Sequence, residues 1–205
     1  MINGKDGVHR DNTTSSHMPV QIEILNNFNV KKVLELGVGF YSTKLYLDKC
    51  DQLISIESDS MEWFDKMKKH YGENTKWTHL FSNKRDEIRS ILIDNIKFDL
   101  IFVDGSEFRS EETNMCFSFS DIIIVHDTQW GFRDLFEVPS DFQQIDFKKF
   151  PVSYGHGAGY DHRPWTTLFT NKTEIIEHFK NIQEEDLYNI HKFPYVYETT
   201  PNIIV

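Results

Sequence analysis

Residues 33–43, "VLELGVGFYST", decide how the rest of the chain is read. An apolar run reaches an acid, Glu35, and then breaks into Gly37-Val38-Gly39. A buried strand that stops at Gly-x-Gly marks a tight turn where a ligand can come close to the backbone. The next apolar run, "QLISIE" at 52–57, ends in Glu57, about 20 residues beyond the first glycine, where an acid can take ribose hydroxyls. A third run, "KFDLIFVD" at 97–104, ends in Asp104. In an open α/β sheet, ligands bind beyond the carboxyl ends of the strands, and there these three features would meet.

Working outward, the chain supplies that alternation. A helix face is predicted from Pro19 through "PVQIEILNNF", with Ser16 as its cap. "KKVLEL" is a strand and Phe40–Leu47 a helix. After the strand at 52–57, Asp59 and Glu62 have capping-box spacing before the helix "MEWFDKMKKHY". "KWTHLF" is a third strand, "NKRDEIRSILID" a helix, and 97–104 the fourth strand. Residues 107–118 form a short helix before a fifth strand, "DIIIVHD". Strands separated by helical segments imply βαβ units on a mostly parallel sheet. The unbroken apolar runs "LISI", "LIFV" and "IIIV" imply helices on both of its faces. Past Trp130 the pattern changes: "GFRDLFEV" is helical, and "FQQIDFKKFPV" and "RPWTTLFTNK" are two long strands joined by "SYGHGAGYDH". With no helix between them they make an antiparallel pair at one sheet edge. Asn171 and Glu174 then form a second capping box before "EIIEHFKNIQEEDLYNI". No repeat or linker interrupts this order, so residues 1–205 are read as a single α/β domain, with 1–17 a flexible arm and 172–205 a helical extension and tail.

Composition narrows the partners. The 17 Phe, 8 Tyr and 4 Trp carry much of a 39% hydrophobic content, enough for a folded core. With 32 acids against 22 Lys and Arg, the formal charge of -10 opposes a broad grip on nucleic acid or an anionic membrane and favours small molecules, or a basic or neutral partner. No apolar run approaches membrane-spanning length. The only cysteines, Cys50 and Cys116, read as small apolar residues of a reducing compartment, and the expected location is cytoplasmic. Oligomeric state is open, a homodimer included.

The loop also discriminates between nucleotides. A dinucleotide site wants Gly-x-Gly-x-x-Gly so that a helix N-terminus can hold the pyrophosphate, and here Ser42 stands in the third place. No Gly-Lys-Ser/Thr follows, so the phosphate loop of nucleotide triphosphatases is absent. Glu35 adds a carboxylate, a poor match for pyrophosphate and a good one for a cationic amino or sulfonium group.

Taken together, "VLELGVGFYST", "ISIES", "FDLIFVDGS" and "IIIVHDT" resemble the successive motifs of the Rossmann-like (class I) S-adenosylmethionine-dependent methyltransferases, over roughly residues 16–171. The resemblance implies a seven-stranded sheet in the order 3-2-1-4-5-7-6 and S-adenosyl-L-methionine as cofactor. It implies that Glu35, Gly37 and Gly39, with Ser42 nearby, line the methionine portion, and that Glu57 holds both ribose hydroxyls. Ser82 and Asn83 would fall near the adenine, and Asp104 beside the methionine amino group or the reacting centre.

Methyl transfer to a hydroxyl asks for positioning and a base. His126 and Asp127, closing the fifth strand beside Asp104, are the catalytic candidates. Three readings of them stand. Asp104 and Asp127 could pair around Mg²⁺, as in a subset of these enzymes, although His126 stands where that subset often has an acid. His126 or Asp127 could act directly as base. Or Asp127 caps the next helix and His126 is a satisfied core residue. His17, and His156 and His162 in the Gly-rich loop, are further imidazoles; Trp130 and Phe132 could wall an acceptor pocket. No "NPPY"-type amino-methylating signature follows the fourth strand. The function expected is methyl transfer to a small-molecule hydroxyl, on a sugar or other polyol. The alternatives are an inactive binding or structural protein on the same scaffold, a methyltransferase acting on protein or nucleic acid, and an NAD-linked oxidoreductase.

Overall fold

The computed structural model describes residues 16–95, 97–105, 108–128, 135–148, 165–184 and 186–187. Thirteen elements follow in chain order: α1 (Met18–Asn27), β1 (Lys32–Leu36), α2 (Ser42–Lys49), β2 (Gln52–Glu57), α3 (Met61–Tyr71), β3 (Trp77–Phe81), α4 (Arg85–Asn95), β4 (Leu100–Val103), α5 (Arg109–Cys116), β5 (Ile122–His126), β6 (Gln143–Phe147), β7 (Thr166–Thr170) and α6 (Thr173–Lys180). They build one seven-stranded sheet in the order β3-β2-β1-β4-β5-β7-β6. The first five strands run parallel, and β7 lies antiparallel between β5 and the edge strand β6. This is the sheet order and edge pair expected above.

Alternation along the strands sorts the core into two layers. Val33, Leu53, Leu100, Phe102, Ile122 and Ile124 face one side, where α1, α2 and α6 supply Val20, Ile24, Tyr46, Ile175 and Phe179. Leu34, Leu36, Ile54, Ile101, Val103 and Val125 face the other, against Ile88 and Leu92 of α4 and Cys116 of α5. Side chains two apart share a face, so Glu35 goes to the α1 side with Val33, and Asp104 and His126 follow Phe102 and Ile124 to the same side. Register completes the placement: Glu35 pairs with Ser55, and Val103 pairs with Val125, one step before Asp104 and His126.

Several local expectations are corrected. Ser16 does not cap α1; His17 holds the N-cap position in a helical conformation, and the Ser16 hydroxyl reaches His126 instead. Ser16 and His17 are 0% and 2% exposed, so the last two residues of the predicted flexible arm belong to the core. The cap of α3 is Ser60, which accepts from the Trp63 N–H, because the Glu57 carboxylate already takes the N–H groups of Asp59 and Ser60. Asn171 is drawn to Asp121 and makes no capping box; α6 starts from Lys172 without a side-chain cap. That helix ends at Lys180, where short-range bonds from Asn181 and Ile182 tighten the last turn. The edge strands are five residues each, not long, and Phe136–Pro139 are not helical: Phe136 packs its ring on Phe169 at 5.2 Å. Residues 1–15, Trp130, Phe132, the loop holding His156 and His162, and 188–205 lie outside the described residues. Cys50 and Cys116 are buried and unbridged, as read from the sequence. Among the described residues no helix is long and apolar enough to cross a membrane.

Candidate active site

The carboxyl ends of β1, β2, β4 and β5 meet, and the turn after β1 shows why this stretch is glycine-rich. Gly37 has φ +91°, and a Cβ there would stand 2.6 Å from the Asp104 carbonyl and 2.7 Å from the Gly105 nitrogen. Only glycine permits β1 and β4 to end this close together. Gly39 is less constrained; its N–H donates to the Thr43 hydroxyl at 3.1 Å. From the other side α3 pins the loop: Trp63 Nε1 donates to the Val38 carbonyl at 2.7 Å and the Tyr71 hydroxyl to that of Phe40 at 2.9 Å.

Glu35 is placed differently from the expectation of a carboxylate facing a cationic ligand. It is fully buried, and its oxygens accept from Ser42 at 2.5 Å, Thr43 at 2.8 Å and Ser55 at 2.7 Å. Burial raises its pKa to about 7 against the pull of these three hydroxyls. Its direct work is to tie the start of α2 to β1 and β2 and so hold the loop shape. Glu57 is nearer the expected role. Its Oε1 accepts from Asp59 and Ser60 at 2.9 and 3.2 Å, while Oε2 has the Val38 N–H at a long 3.4 Å. A carboxylate offers about four acceptor directions, so Oε2 retains capacity for a hydroxyl. The Ser82 hydroxyl is spent on Glu87, at 2.7 Å, and on the Lys84 N–H, at the start of α4; Asn83 beside it is exposed.

Between β4 and β5 a buried polar chain runs from Arg109 to Ser16. Arg109 lies 3.5 Å from Asp104 Oδ1, the same oxygen is 2.9 Å from His126 Nδ1, and His126 Nε2 is 2.7 Å from the Ser16 hydroxyl. Burial would raise Asp104, but the charge and hydrogen bond of His126, together with His17 and Arg109, hold the carboxyl below its ordinary value. Burial would likewise lower His126, and Asp104, with Asp127 behind it, raises it instead. His126 is therefore a satisfied, charge-stabilised partner. Asp127 has φ +57°, a left-handed turn that aspartate tolerates, and its Oδ1 lies 3.6 Å from His126 Nε2. The two carboxylates thus approach opposite edges of one imidazole, an arrangement that does not make the expected Asp104/Asp127 cradle for Mg²⁺.

A cavity of about 190 Å³ opens beside the loop, lined among others by His17, Phe40, Tyr41, Ser42, Trp63 and Asp104. That is below the roughly 300–1,000 Å³ of a pocket enclosing a whole drug-sized ligand. It suits one end of a nucleotide-sized molecule, with the remainder along the open strand ends toward Glu57. His17 is the residue that sequence reasoning undervalued. Its ring packs on Phe102 at 4.8 Å and edge-on to His126 at 4.6 Å, and both ring nitrogens are buried without a hydrogen-bond partner among the described residues. Burial, with the His126 charge second, pushes it down to about 3, so it stands neutral. The polar run "TTSSH" held no periodic signal that could have found it.

Comparison with known proteins places the fold. No family model matches the chain, and no curated protein does either. Among solved structures, the chain is similar to a putative caffeoyl-CoA O-methyltransferase from Staphylococcus aureus, with TM-score 0.52, 12% identity, and coverage of 77% of this chain and 82% of that one. It is also similar to a putative SAM-dependent methyltransferase from Streptococcus mutans, with TM-score 0.55, 10% identity, and coverage of 75% and 48%. A third likeness, to a putative methyltransferase complexed with SAH, has TM-score 0.54, 10% identity, and coverage of 76% and 49%. The chain spans about half the length of the latter two. At this identity the likeness shows the fold alone: a seven-stranded sheet architecture similar to that of these methyltransferase structures.

Proposed function

We propose that this chain is an S-adenosylmethionine-dependent methyltransferase acting on a hydroxyl of a small molecule, a sugar or other polyol. The observation that carries the reading is the left-handed Gly37 turn, seated against the Asp104 backbone and next to the partly unsaturated Glu57 carboxylate. A loop shaped by Glu35, pinned by α3 and opening on a small cavity fits the methionine end of the cofactor. Glu57 is assigned to the ribose hydroxyls, and Gly37, Gly39 and Ser42 to the loop that receives the methionine end. Ser82 and Asn83 are assigned to the adenine edge through their place after β3, and Asp104 to the amino group or the reacting centre.

The bound cofactor supplies an electrophilic methyl on a sulfonium, and transfer to a hydroxyl leaves a neutral thioether. The protein's own share is to exclude water, align the acceptor oxygen in line, and take its proton. His126 is unsuited to that last task because Asp104 favours its charged form. We assign the proton to Asp127, whose side chain is 30% exposed at the end of β5, and give His126 the task of fixing Asp104. The acidic whole, at -10, matches an uncharged acceptor better than a nucleic acid.

Calorimetric titration with S-adenosylhomocysteine tests the reading. Binding at micromolar Kd is expected, with Glu57→Ala weakening it about tenfold or more, the loss of one charge-assisted hydrogen bond (roughly 1.5–3 kcal/mol), while the fold persists. Absence of binding at millimolar ligand would overturn the enzyme reading. Unchanged affinity in Glu57→Ala would move the ribose elsewhere.

A further inference from the structure

We propose that His17, Asp104 and His126 form a binding site for a first-row divalent transition ion, Zn²⁺ or Fe²⁺, at the inner wall of the cavity. Each of the three offers one ligand atom, and these atoms lie within 4.8 Å of one another. The tightest pair is already at ligand spacing: His126 Nδ1 and Asp104 Oδ1 are 2.9 Å apart. Two ligands about 2.0–2.1 Å from one ion stand about 2.9 Å apart at a right angle and about 3.3 Å apart in a tetrahedral shell, so the pair need open by only a few tenths of an ångström for zinc. An ion between them replaces the proton they now share, releasing it to solvent.

The surroundings fit an ion on this side of the ring. With Nδ1 turned to the ion, Nε2–H of His126 donates to the Ser16 hydroxyl at 2.7 Å, the outer hydrogen bond that fixes tautomer and ring plane in a metal-bound histidine. The third ligand, His17, is 2% exposed, with both nitrogens buried and without a partner among the described residues, and it lines the cavity together with Asp104. A buried imidazole left unsatisfied is costly unless a ligand meets it. Tyr46, whose ring stands edge-on to the Phe102 ring that His17 also touches, carries a second buried polar atom, its hydroxyl, with no partner among the described residues. Two charges oppose the ion among the described residues: the protonated His126 that Asp104 favours, whose proton must leave, and Arg109, 3.5 Å from Asp104, which must turn further to its Gly105 carbonyl partner as the ion enters.

The donor set decides the ion. Two imidazoles and one carboxylate with open positions suit zinc or ferrous iron, whereas Mg²⁺ wants oxygen. The open positions face the cavity, where a hydroxyl or carboxylate oxygen of a ligand would complete the shell. The site stands independently of the methyltransferase reading. Two assays keep them apart, because metal uptake is measured without S-adenosylhomocysteine, and cofactor binding in the presence of EDTA.

Cobalt(II) chloride titrated into the purified chain is the test. One Co²⁺ per chain is expected, with visible d–d absorption, displaced by equimolar Zn²⁺ and not by a thousandfold excess of Mg²⁺. His17→Ala and Asp104→Asn should each weaken uptake at least tenfold, and Asp127→Asn should leave it unchanged. Because the variants could misfold, the wild-type chain is also followed by histidine-ring NMR, where Zn²⁺ must shift the His17 and His126 signals together. The proposal is overturned by equal Co²⁺ affinity in folded His17→Ala, by displacement with Mg²⁺, or by unshifted His17 and His126 signals at saturating Zn²⁺.

Discussion

Glu35 carries the clearest consequence of a single residue's position. Its carboxyl titrates near 4.5 in the unfolded chain and at about 7 in the folded one, because the interior disfavours its charge more than three hydroxyls favour it. Between those two values the folded state binds more protons, so stability falls as pH rises from 4.5 through 7, by about 3 kcal/mol for this group alone. The raised His126 acts in the same direction, its contribution being complete below 6.5 and lost as pH climbs through its folded pKa. His17 and His79, pushed down by burial to about 3 and about 4, act the other way below 6.5, so the Glu35 share is read as the difference in urea-unfolding stability between the native chain and Glu35→Gln, which should fall as pH rises from 5 to 8. The histidine contributions, His126 included, are common to both proteins and cancel in that difference. Parallel curves for the two proteins would show that Glu35 is ionised throughout and that its burial is relieved by some other group. The same residue marks the limit of sequence reading. Its presence before Gly-x-Gly was evident, but an acid on a strand is turned in or out by face and register, and it was pairing with Ser55 that set its carboxylate among three hydroxyls of β2 and α2.

At the level of elements, the strands were legible and the helix ends were not. "LISI", "LIFV" and "IIIV" are each buried end to end, and a run of apolar side chains four or five long can satisfy itself only between two helical layers. Caps depend on which nearby acceptor reaches an N–H first. At α3 the Glu57 carboxylate claimed Asp59 and Ser60, which moved the cap to Ser60. Ser60→Ala should cost about 1 kcal/mol in urea unfolding, and Ser60→Asp should restore it. The Trp63 indole that pins Val38 stands in the first turn of α3, so Ser60→Ala should also weaken S-adenosylhomocysteine binding a few-fold in calorimetry. A stability loss with unchanged affinity would show that the loop holds its shape without α3.

The whole molecule sets the size of the ligand's effect. A ligand that binds only the folded chain stabilises it by about 2.7 kcal/mol when present at a hundred times its Kd. For a domain of this length that corresponds to a rise in Tm of roughly 5–10 °C. S-adenosylhomocysteine should produce that rise and NADH none; a rise with NADH instead would favour the oxidoreductase alternative. What the amino-acid sequence determined by itself was the alternation of strands and helices, the acids at the ends of β1, β2 and β4, and the glycine turn, because hydrophobic period and turn chemistry are local. Only the tertiary structure decided what closes the site. Ser16 and His126 are 110 positions apart, and nothing in a short polar run announces that it will be buried against the end of a distant strand. Parallel register put Asp104 beside His126, and the packing of α1 on the same face brought His17 over both. Those contacts are non-local and rest on few residues, too little signal for a pattern along the chain to carry.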